Sequence, residues 1–579
     1  MFFIFIFISC AIIAYEVIYY ATNGNIPDFE MISLSFVLSF NIIGLITIFL
    51  LNFIEFSYKI SIIELFITLP LGIFLRIKRN TANRISYLYF IPYFMIIPIS
   101  LCMTNNIYFS RGNCVIANST NQIQTALSLV SSIAYGDNHK FPFKTSFNQA
   151  TFFNSITFFP INAALMVHNG YSLVFSFKFL AFVHIVGIFS SLTFLVRLFS
   201  NYVVATIISF FIFIFSMKES ITTQVFTNID HLCAYPLSIF AYCLAISGIC
   251  NRFRRKGFFV LSAVISSLTF TGSIDIFYGT VISIYSIFIF TFPYQNFYSW
   301  QIVAQKIYIY TVIMVLSLFP QMTYLDVVDS RSLLINLHNK GYFRSFVKEF
   351  LIFFLVFILL SWISMKRTAP KVINCSILFS LLVSRLITVQ YPYKNLIAIA
   401  SFYSGAVASV SQLIANFFKS KRPYKVLIGL AIFIAIIFTG FTSNPFLIRN
   451  QKTELFNDQM KYAAKWAITN TNPSDVFFSE NRNIDPFVIL AGRKTPIGQT
   501  NLLEYSGGNV PQMKRNMNYI YRSIANPIVL KNYNIDYVSI ITNSTFYFGQ
   551  QVMQSEIFTH VFTHGNISVY KVLKEKLNM

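Results

Sequence analysis

Long apolar runs set the first limit on what this chain can fold into. They recur from residue 2 to about residue 441, and most are about 17 to 25 residues long, the length that crosses the hydrocarbon core of a bilayer. Charged residues make up only 11% of the chain, whereas a soluble protein carries about 25%. The sequence therefore predicts a mainly α protein, a polytopic α-helical membrane bundle of about fourteen spans. The predicted spans are 2–21, 31–54, 61–76, 87–104, 172–197, 201–217, 231–250, 257–271, 279–293, 302–320, 346–365, 372–390, 396–418 and 425–441.

Basic residues cluster in short segments between the apolar runs, at 76–84, 251–256, 366–371 and 419–425. Such clusters are typical of cytoplasmic loops, and placing all four inside agrees with the parity of the predicted crossings. Many of the basic residues behind the net charge of +22 thus lie in predicted cytoplasmic loops and not on a soluble face. Because no basic–aromatic module occurs, we expect no nucleic-acid partner. The outer segments are then 105–157, 218–230, 271–278, 321–345, 391–395 and the tail after about residue 442.

The predicted organisation has four parts. They are N-terminal transmembrane spans (1–104), an outer or lumenal loop with an interfacial helix (105–157), a transmembrane core (158–441) and an outer or lumenal α/β domain (442–579). The last part is polar and long enough for a small core of its own. Its pattern predicts helices at 458–469 and 513–524, strands at 475–479, 487–492 and 534–542, and a helix, a turn and a strand over 556–573.

The outer loop contains the segment TNQIQTALSLVSSIAYGDN, residues 120–138. Its apolar residues recur at roughly helical spacing among polar ones, which predicts a helix lying along the membrane surface and ending at Gly136. A re-entrant helix at 155–170 is left open, and it makes the count of fourteen spans uncertain by about two.

Several carboxylates of the membrane part fall in outer loops or at the outer ends of spans. Asp137, Asp230 and Asp275 are candidates for a catalytic site, because charge near lipid is costly and marks functional positions. Asp230 is the first choice, since His231 adjoins it and a nearly continuous apolar run follows. Asp is also a common helix cap and turn residue, so a structural role for each one stays open.

The sequence lacks the motifs of common soluble enzymes. It has no P-loop, GxSxG, HExxH or dinucleotide-binding fingerprint. Its seven cysteines show no metal-binding spacing. His560 and His564 are four residues apart, but no third ligand lies near them in the sequence. We therefore expect no metal site and no cofactor, with a divalent metal left open.

Three N-glycosylation sequons lie in predicted outer segments, at Asn118, Asn543 and Asn566. They favour a glycoprotein whose outer loop and tail face the lumen of the endoplasmic reticulum or another endomembrane. A fourth sequon, at Asn374, is predicted at the inner end of a span and is not expected to be used.

Three stretches carry a resemblance to a known superfamily. SSIAYGDN (131–138) resembles a first-loop helix ending in Gly-x-Asn, and TVQYPYKN (388–395) resembles an outer motif of Gln, Pro, an aromatic residue and Asn. Residues 466–498 resemble a tail domain in which a strand leads to Gly-Arg and a further Gly. With the order of the parts, they resemble the GT-C superfamily of polytopic membrane glycosyltransferases over about residues 100–579. Residues 1–100 have no counterpart in it.

The resemblance implies transfer of a sugar from a polyprenyl-phosphate donor to an acceptor on the outer or lumenal face, with membrane lipid as a partner. One of the three aspartates would take the proton of the acceptor hydroxyl, and cations or hydrogen-bond donors would stabilise the leaving lipid phosphate. For Arg493, bracing the tail domain is the alternative role. The residues assigned to substrate or phosphate are Gln122, His231, Arg331, Lys394 and Arg493.

The sequence departs from this pattern at the start of the loop helix. In relatives of this shape an Asp and a His precede the loop glycine by fourteen and ten residues, where this chain has Gln122 and Ala126. Gln can hydrogen-bond a hydroxyl but cannot act as its general base. A catalytically impaired scaffold therefore stays open as an alternative. A multi-span transporter or lipid-handling protein is another, although no internal repeat of spans is found.

Overall fold

Most of the described chain is helical, because backbone groups in lipid must find their hydrogen-bond partners within the same segment. The computed structural model describes residues 2–77, 90–109, 114–116, 120–140, 143, 158–199, 203–215, 225–226, 228–250, 255–291, 297–324, 333–335, 373–380, 383, 387–389, 403–441, 452–479, 485–496, 510–541 and 546–577. The predicted span 346–365 lies outside these ranges, and the predicted span 372–390 is described only at 373–380, 383 and 387–389.

Fourteen helices of 11 or more residues precede the tail in the described part of the chain, and residues 373–380 are helical as well. They are α1 Phe2–Thr22, α2 Asp28–Leu50, α3 Tyr58–Ile77, α4 Phe90–Ile107, α5 Thr120–Ala134, α6 Phe158–His168, α7 Leu173–Phe199, α8 Val203–Phe215, α9 Ile229–Cys250, α10 Lys256–Gly272, α11 Ile274–Thr291, α12 Phe297–Tyr324, α13 Ser404–Phe418 and α14 Pro423–Phe441. Seven of the described helices are long and apolar enough to cross a membrane: α1, α2, α3, α7, α9, α11 and most of α12. The helical membrane bundle is thus confirmed, and the count of fourteen spans stays a prediction.

Ion pairs join the helix ends that are predicted to face inward. Arg76 at the end of α3 donates to Glu16 in α1 at 3.0 Å. Arg197 in the last turn of α7 pairs with Glu30 in the first turn of α2. Arg255, just before α10, donates to the last backbone carbonyl of α1 at 2.8 Å. The ends of α1, α3 and α7 and the starts of α2 and α10 therefore lie on one side, in agreement with the predicted parity.

The short helix α6 lies in the outer half of the bundle. Its 11 residues are too few to cross a bilayer. Its last residue, His168, packs against Phe56 in the connection between α2 and α3, with ring centroids 5.2 Å apart. Its first residue, Phe158, contacts Gly44, which is less than two turns from the outer end of α2. This position agrees with the re-entrant alternative for residues 155–170.

The tail contains a mixed four-stranded sheet. The described strands of the chain are β1 Cys114–Ile116, β2 Leu333–Ile335, β3 Ile387–Val389, β4 Lys452–Glu454, β5 Phe477–Ser479, β6 Tyr537–Ile541, β7 Phe558–His564 and β8 Ile567–Val572. β5 pairs with β6 in parallel, and β6 and β7 pair antiparallel with β8, in the order β5-β6-β8-β7. The helices are α15 Asp458–Asn470, α16 Pro486–Ile489, α17 Val510–Arg522, α18 Pro527–Asn532 and α19 Phe546–Gln554. Phe478, Val538 and Phe548 belong to a core separate from that of the membrane helices, which agrees with the predicted α/β character.

The predicted strand at 487–492 is wrong, because the chain forms helix α16 there. The side chain of Asp485 accepts a hydrogen bond from the backbone N–H of Phe487 at 2.8 Å, and Pro486 occupies the first helical position. An Asp cap followed by Pro starts a helix even in an apolar stretch.

The predicted helix at the start of 556–573 is also wrong, because residues 558–564 form β7. Gly565 has a φ of +56° and reverses the chain into β8. Gly-Asn is a hairpin-turn signal, so the predicted turn is present, but it joins two strands instead of a helix and a strand.

The buried ion pair between α2 and α7 yields a stability prediction. Glu30 is fully buried and Arg197 is largely buried, so Glu30→Gln leaves the guanidinium without its charged partner. We expect the free energy of unfolding to fall by about 3 kcal/mol. The measurement is thermal unfolding of the purified full chain in detergent.

Two further variants test that reading. Lys461→Gln breaks an exposed pair with Asp458 and should change the unfolding free energy by less than about 0.5 kcal/mol. The double variant Glu30→Gln/Arg197→Gln should recover part of the loss. A Glu30→Gln protein as stable as the wild type would contradict a stabilising role for the pair.

Burial gives Asp485 a pH-dependent effect on stability. Desolvation raises its pKa from 3.8 to about 6, although its hydrogen bonds with Ser479 and Phe487 oppose the shift. The folded state therefore favours the protonated form, and this contribution is complete below pH 4 and lost as the pH rises through about 6. Asp485→Asn keeps the capping oxygen, so we expect it to be about 2 to 3 kcal/mol more stable than wild type at pH 7.5 and equal to it at pH 4.

Melting of the full chain between pH 4 and pH 8 measures this difference. Asp458→Asn, at an exposed position of the same domain, is the control and should follow the wild-type curve. Parallel curves for Asp485→Asn and wild type would contradict the prediction.

Candidate active site

The loop helix α5 ends where its chain touches the backbone of the tail. Gly136 follows α5, and a Cβ at this position would lie 2.4 Å from the carbonyl oxygen of Gly492. Gly492 has a φ of +66°, and a Cβ there would lie 2.1 Å from the carbonyl oxygen of Ser131. At positions 136 and 492, therefore, only glycine fits, because it has no Cβ. We call the contact among Ser131, Gly136, Gly492 and the next residue, Arg493, the loop–tail junction.

Arg493 is the polar centre of the loop–tail junction and is only 1% exposed. Its Nη1 donates to the carbonyls of Tyr135 at 2.7 Å and Ala491 at 3.0 Å. Its Nη2 donates to the carbonyls of Ala467 at 2.9 Å and Thr471 at 3.2 Å, and its Nε donates to the Thr471 hydroxyl at 2.9 Å. Burial lowers the pKa of the guanidinium, an effect that Asp475 and Asp137 oppose. All five N–H donors meet protein oxygens, so this geometry makes Arg493 a brace between loop and tail.

Three further contacts hold the loop on the tail. Asp137, predicted as a candidate base, forms an ion pair with Lys494. The Ser131 hydroxyl donates to the carbonyl of Ile489 in α16 at 2.6 Å. Strand β1 of the loop pairs antiparallel with β4 at the start of the tail. The outer loop and the tail therefore lie on the same side of the bundle.

Asp230 and His231 lie in the first turn of α9, which Asn228 caps. The Asn228 side-chain oxygen accepts a hydrogen bond from the backbone N–H of Asp230 at 3.0 Å, and its Nδ2 lies 3.4 Å from His231 Nε2. His231 is buried and Asp230 is half-buried. A helix N-terminus favours a carboxylate at such a position. The capping residue was missed, although an Asn directly before an apolar helix is a known start signal.

Asp275 lies in the first turn of α11 and is buried. Helices α9 and α11 run side by side, since the Thr280 hydroxyl donates to the Ser238 hydroxyl at 2.7 Å. Counted from that bond at 1.5 Å per residue, Asp230 lies about 12 Å and Asp275 about 7.5 Å toward the outer end. A Cβ on Gly272, the last residue of α10, would lie 3.1 Å from the Asp230 carbonyl. The structure thus places the two carboxylates on adjacent helices at similar height.

The other predicted site residues are divided between described and undescribed parts of the chain. Arg331, Lys394, Asn118 and Asn543 lie outside the described residues. Gln122 lies in the first turn of α5. Asn566 is exposed in the turn between β7 and β8. Asn374 is buried and accepts a hydrogen bond from Ser409 at 2.9 Å. Among the described residues, no group of three or more His, Cys, Asp and Glu side chains could hold a metal ion.

The loop–tail junction yields a prediction for its glycines. Gly492→Ala introduces both an unfavourable φ and a clash with the Ser131 carbonyl, so we expect a loss of at least about 2 kcal/mol in unfolding free energy. Gly170→Ala is the matched control, because Gly170 has a φ of +90° with nothing within 4 Å of an added Cβ. It should cost about 1 kcal/mol. Thermal unfolding compares the two, and equal losses would contradict the close contact.

Comparison with known proteins places this geometry in a structural class. No protein-family model and no curated protein matches the sequence. Among solved structures, the arabinofuranosyltransferase AftD from Mycobacteria matches with a TM-score of 0.55 and 10% identity, over 85% of this chain and 40% of that protein. ArnT from Cupriavidus metallidurans, bound to undecaprenyl phosphate, matches with a TM-score of 0.50 and 9% identity, over 84% of this chain and 98% of that protein.

A third similar structure is the oligosaccharyltransferase of Archaeoglobus fulgidus in its apo form. It has a TM-score of 0.48 and 11% identity, over 82% of this chain and 74% of that protein. At identities this low, the TM-scores of AftD and ArnT show a likeness of fold alone. The chain has the fold of the GT-C membrane glycosyltransferases.

Proposed function

We propose that this protein transfers a sugar from a polyprenyl-phosphate donor to an acceptor on the outer or lumenal face of its membrane. The observation that carries the proposal is the placement of Asp230 and Asp275 on the first turns of adjacent helices at the outer end of a GT-C fold. The undecaprenyl phosphate bound to ArnT supports a lipid-linked donor. The predicted outer sequons favour the endoplasmic reticulum or another endomembrane, with a lumenal tail.

The reaction divides the work between a base and a phosphate site. Asp230 takes the proton of the acceptor hydroxyl while the acceptor oxygen bonds to the anomeric carbon of the sugar. The bond between that carbon and the phosphate oxygen breaks, and the lipid phosphate leaves with the electron pair. Lys394 and Arg331 are the proposed cations for this phosphate. His231 and Gln122 are proposed to contact the substrate.

Asp275 is the second candidate base, because it also lies at an outer helix end. Asp137 is the third, although its ion pair with Lys494 ties it to the loop–tail contact. A non-catalytic scaffold is the second candidate function. The observation that favours it is Gln122 and Ala126 in the loop helix, where the resembling proteins have an acid and an imidazole.

The test is sugar transfer in microsomes that contain the full chain, supplied with a panel of polyprenyl-phosphate sugars and acceptor glycosides. We expect Asp230→Asn to lower the transfer rate by about 100-fold or more, because the amide cannot accept the proton. Asp458→Asn makes the same exchange at an exposed position of the tail, and it should retain wild-type activity.

Two outcomes would contradict parts of the proposal. Full activity in Asp230→Asn would show that Asp230 is not the base. The activity of Asp275→Asn would then show whether Asp275, the second candidate, is the base. No transfer by the wild-type chain with any donor of the panel would favour the scaffold.

A further inference from the structure

A recess opens among helices α2, α6, α7, α9 and α10, one turn along α9 from Asp230. Its internal volume is about 20 Å³, which holds about one hydroxyl- or water-sized group. Phe40, Phe158 and Phe159 contribute aromatic walls, and Asn162 and His184 contribute polar atoms. Helix α2 precedes the part of the sequence that carries the GT-C resemblance, so one wall of the recess comes from the chain's own N-terminal region.

The orientation of the Asn162 amide is fixed by its two hydrogen bonds. Its Nδ2 donates to the carbonyl of Phe40 in α2 at 3.0 Å and to the carbonyl of Phe158 at 2.7 Å. Both partners can only accept, so both amide hydrogens are used and Oδ1 is the remaining atom. Asn162 is 0% exposed, and within the described chain its Oδ1 has no hydrogen-bond partner. A buried acceptor without a donor is costly, and a ligand group that donates would remove that cost.

His184 adds a second acceptor to the same recess. Its Nδ1 lies 2.8 Å from the carbonyl of Leu180, which can only accept, so Nδ1 carries the hydrogen. In the neutral ring, Nε2 then has a lone pair. The ring stacks on Phe40 with centroids 5.4 Å apart and an interplanar angle of 18°. Asn162 and His184 therefore both offer acceptor atoms. The other two residues with amide or hydroxyl groups in the lining, Asn41 and Thr271, donate to carbonyls of their own helices, those of Val37 at 3.1 Å and Leu268 at 2.8 Å.

We propose that this recess binds a hydroxyl group of a sugar. An anion such as phosphate needs several donors, whereas Asn162 Oδ1 and the free ring nitrogen of His184 accept. Asn41 has at most one N–H left to offer, because its other amide hydrogen goes to the Val37 carbonyl. An ammonium ion would be a buried charge without a counter-ion, since no carboxylate is among the described lining residues. A sugar presents hydroxyl donors, and a single hydroxyl group fits a space of this size between the aromatic walls. The choice of a sugar as the ligand rests on the proposed function. The match between a donating hydroxyl and the acceptor atoms of the recess does not depend on that function.

Cys233 provides a reporter for occupancy, because this free cysteine is partly exposed and lines the recess. The full chain is purified in lauryldimethylamine oxide, a detergent without hydroxyl groups, and treated with methyl methanethiosulfonate. Peptide mass spectrometry measures the labelling rate at Cys233 and at Cys102, an exposed cysteine of α4 that serves as the control. The probes are octyl β-glucoside and octyl tetrahydropyranyl ether, which has the ring and chain but no hydroxyls.

We expect octyl β-glucoside to slow labelling of Cys233 by at least about fivefold, which corresponds to about 80% occupancy, without an effect at Cys102. The ether should give no protection. Asn162→Leu should abolish protection by the glucoside, and Asn169→Leu, the same exchange just beyond α6 and outside the recess, should preserve it.

Equal protection by the ether would make the recess an apolar slot and overturn the proposal. If neither compound protects Cys233, the recess is a site for water only, and the proposal is likewise overturned. The ether comparison uses the wild-type chain, so it decides the question even if Asn162→Leu fails to fold. Protection of Cys233 does not require sugar transfer, so the two proposals can fail separately. A chain that is inactive but has a protected Cys233 would overturn the proposed function and support sugar binding in the recess. A chain that is active but has an unprotected Cys233 would support the proposed function and overturn sugar binding in the recess.

Discussion

The backbone contact between Gly136 and Gly492 is the constraint on which the outer face of this protein depends. A side chain on either residue would overlap a carbonyl of the opposite segment. The buried Arg493 then satisfies carbonyls of both the loop and the tail, and the Asp137–Lys494 ion pair lies beside it. These contacts join two segments on the side of the bundle where α9 and α11 begin. The segments lie more than 350 residues apart in the chain, as the Ser131–Ile489 hydrogen bond shows.

Charge is distributed differently on the two sides of the bundle. At the inner ends, Glu16 and Glu30 pair with arginines of other helices, so those carboxylates serve the assembly of α1 and α2 with α3 and α7. At the outer ends, Asp230 and Asp275 lie at helix N-termini, where the helix dipole favours a negative charge. This difference in setting, together with the GT-C fold, is the basis for proposing chemistry at the outer face.

The sequence predicted the helical membrane bundle and the α/β character of the tail, because those features follow from composition and periodicity. The side of the membrane that the loops and the tail face stays a prediction. Sequence reasoning failed at 487–492, where the cap at Asp485 overrides an apolar run, and at 558–564, where a Gly-Asn turn decides between helix and strand. The buried Glu16 and Glu30 found partners that no spacing in the sequence reveals. Asn162 and His184 look like isolated polar residues in apolar helices, and only packing shows that they line one recess. The roles of Arg331 and Lys394 stay predictions.

Crosslinking across the loop–tail contact tests this account most directly. Cysteines are placed at both positions of the ion pair, Asp137→Cys and Lys494→Cys, and a membrane-impermeant bifunctional maleimide is added from the outer or lumenal side of intact or opened vesicles. The account predicts that mass spectrometry finds the peptides of residues 137 and 494 linked, and that reagent confined to the inner side links nothing. Efficient labelling of both single-cysteine variants from the outer side, without a link in the double variant, would contradict it.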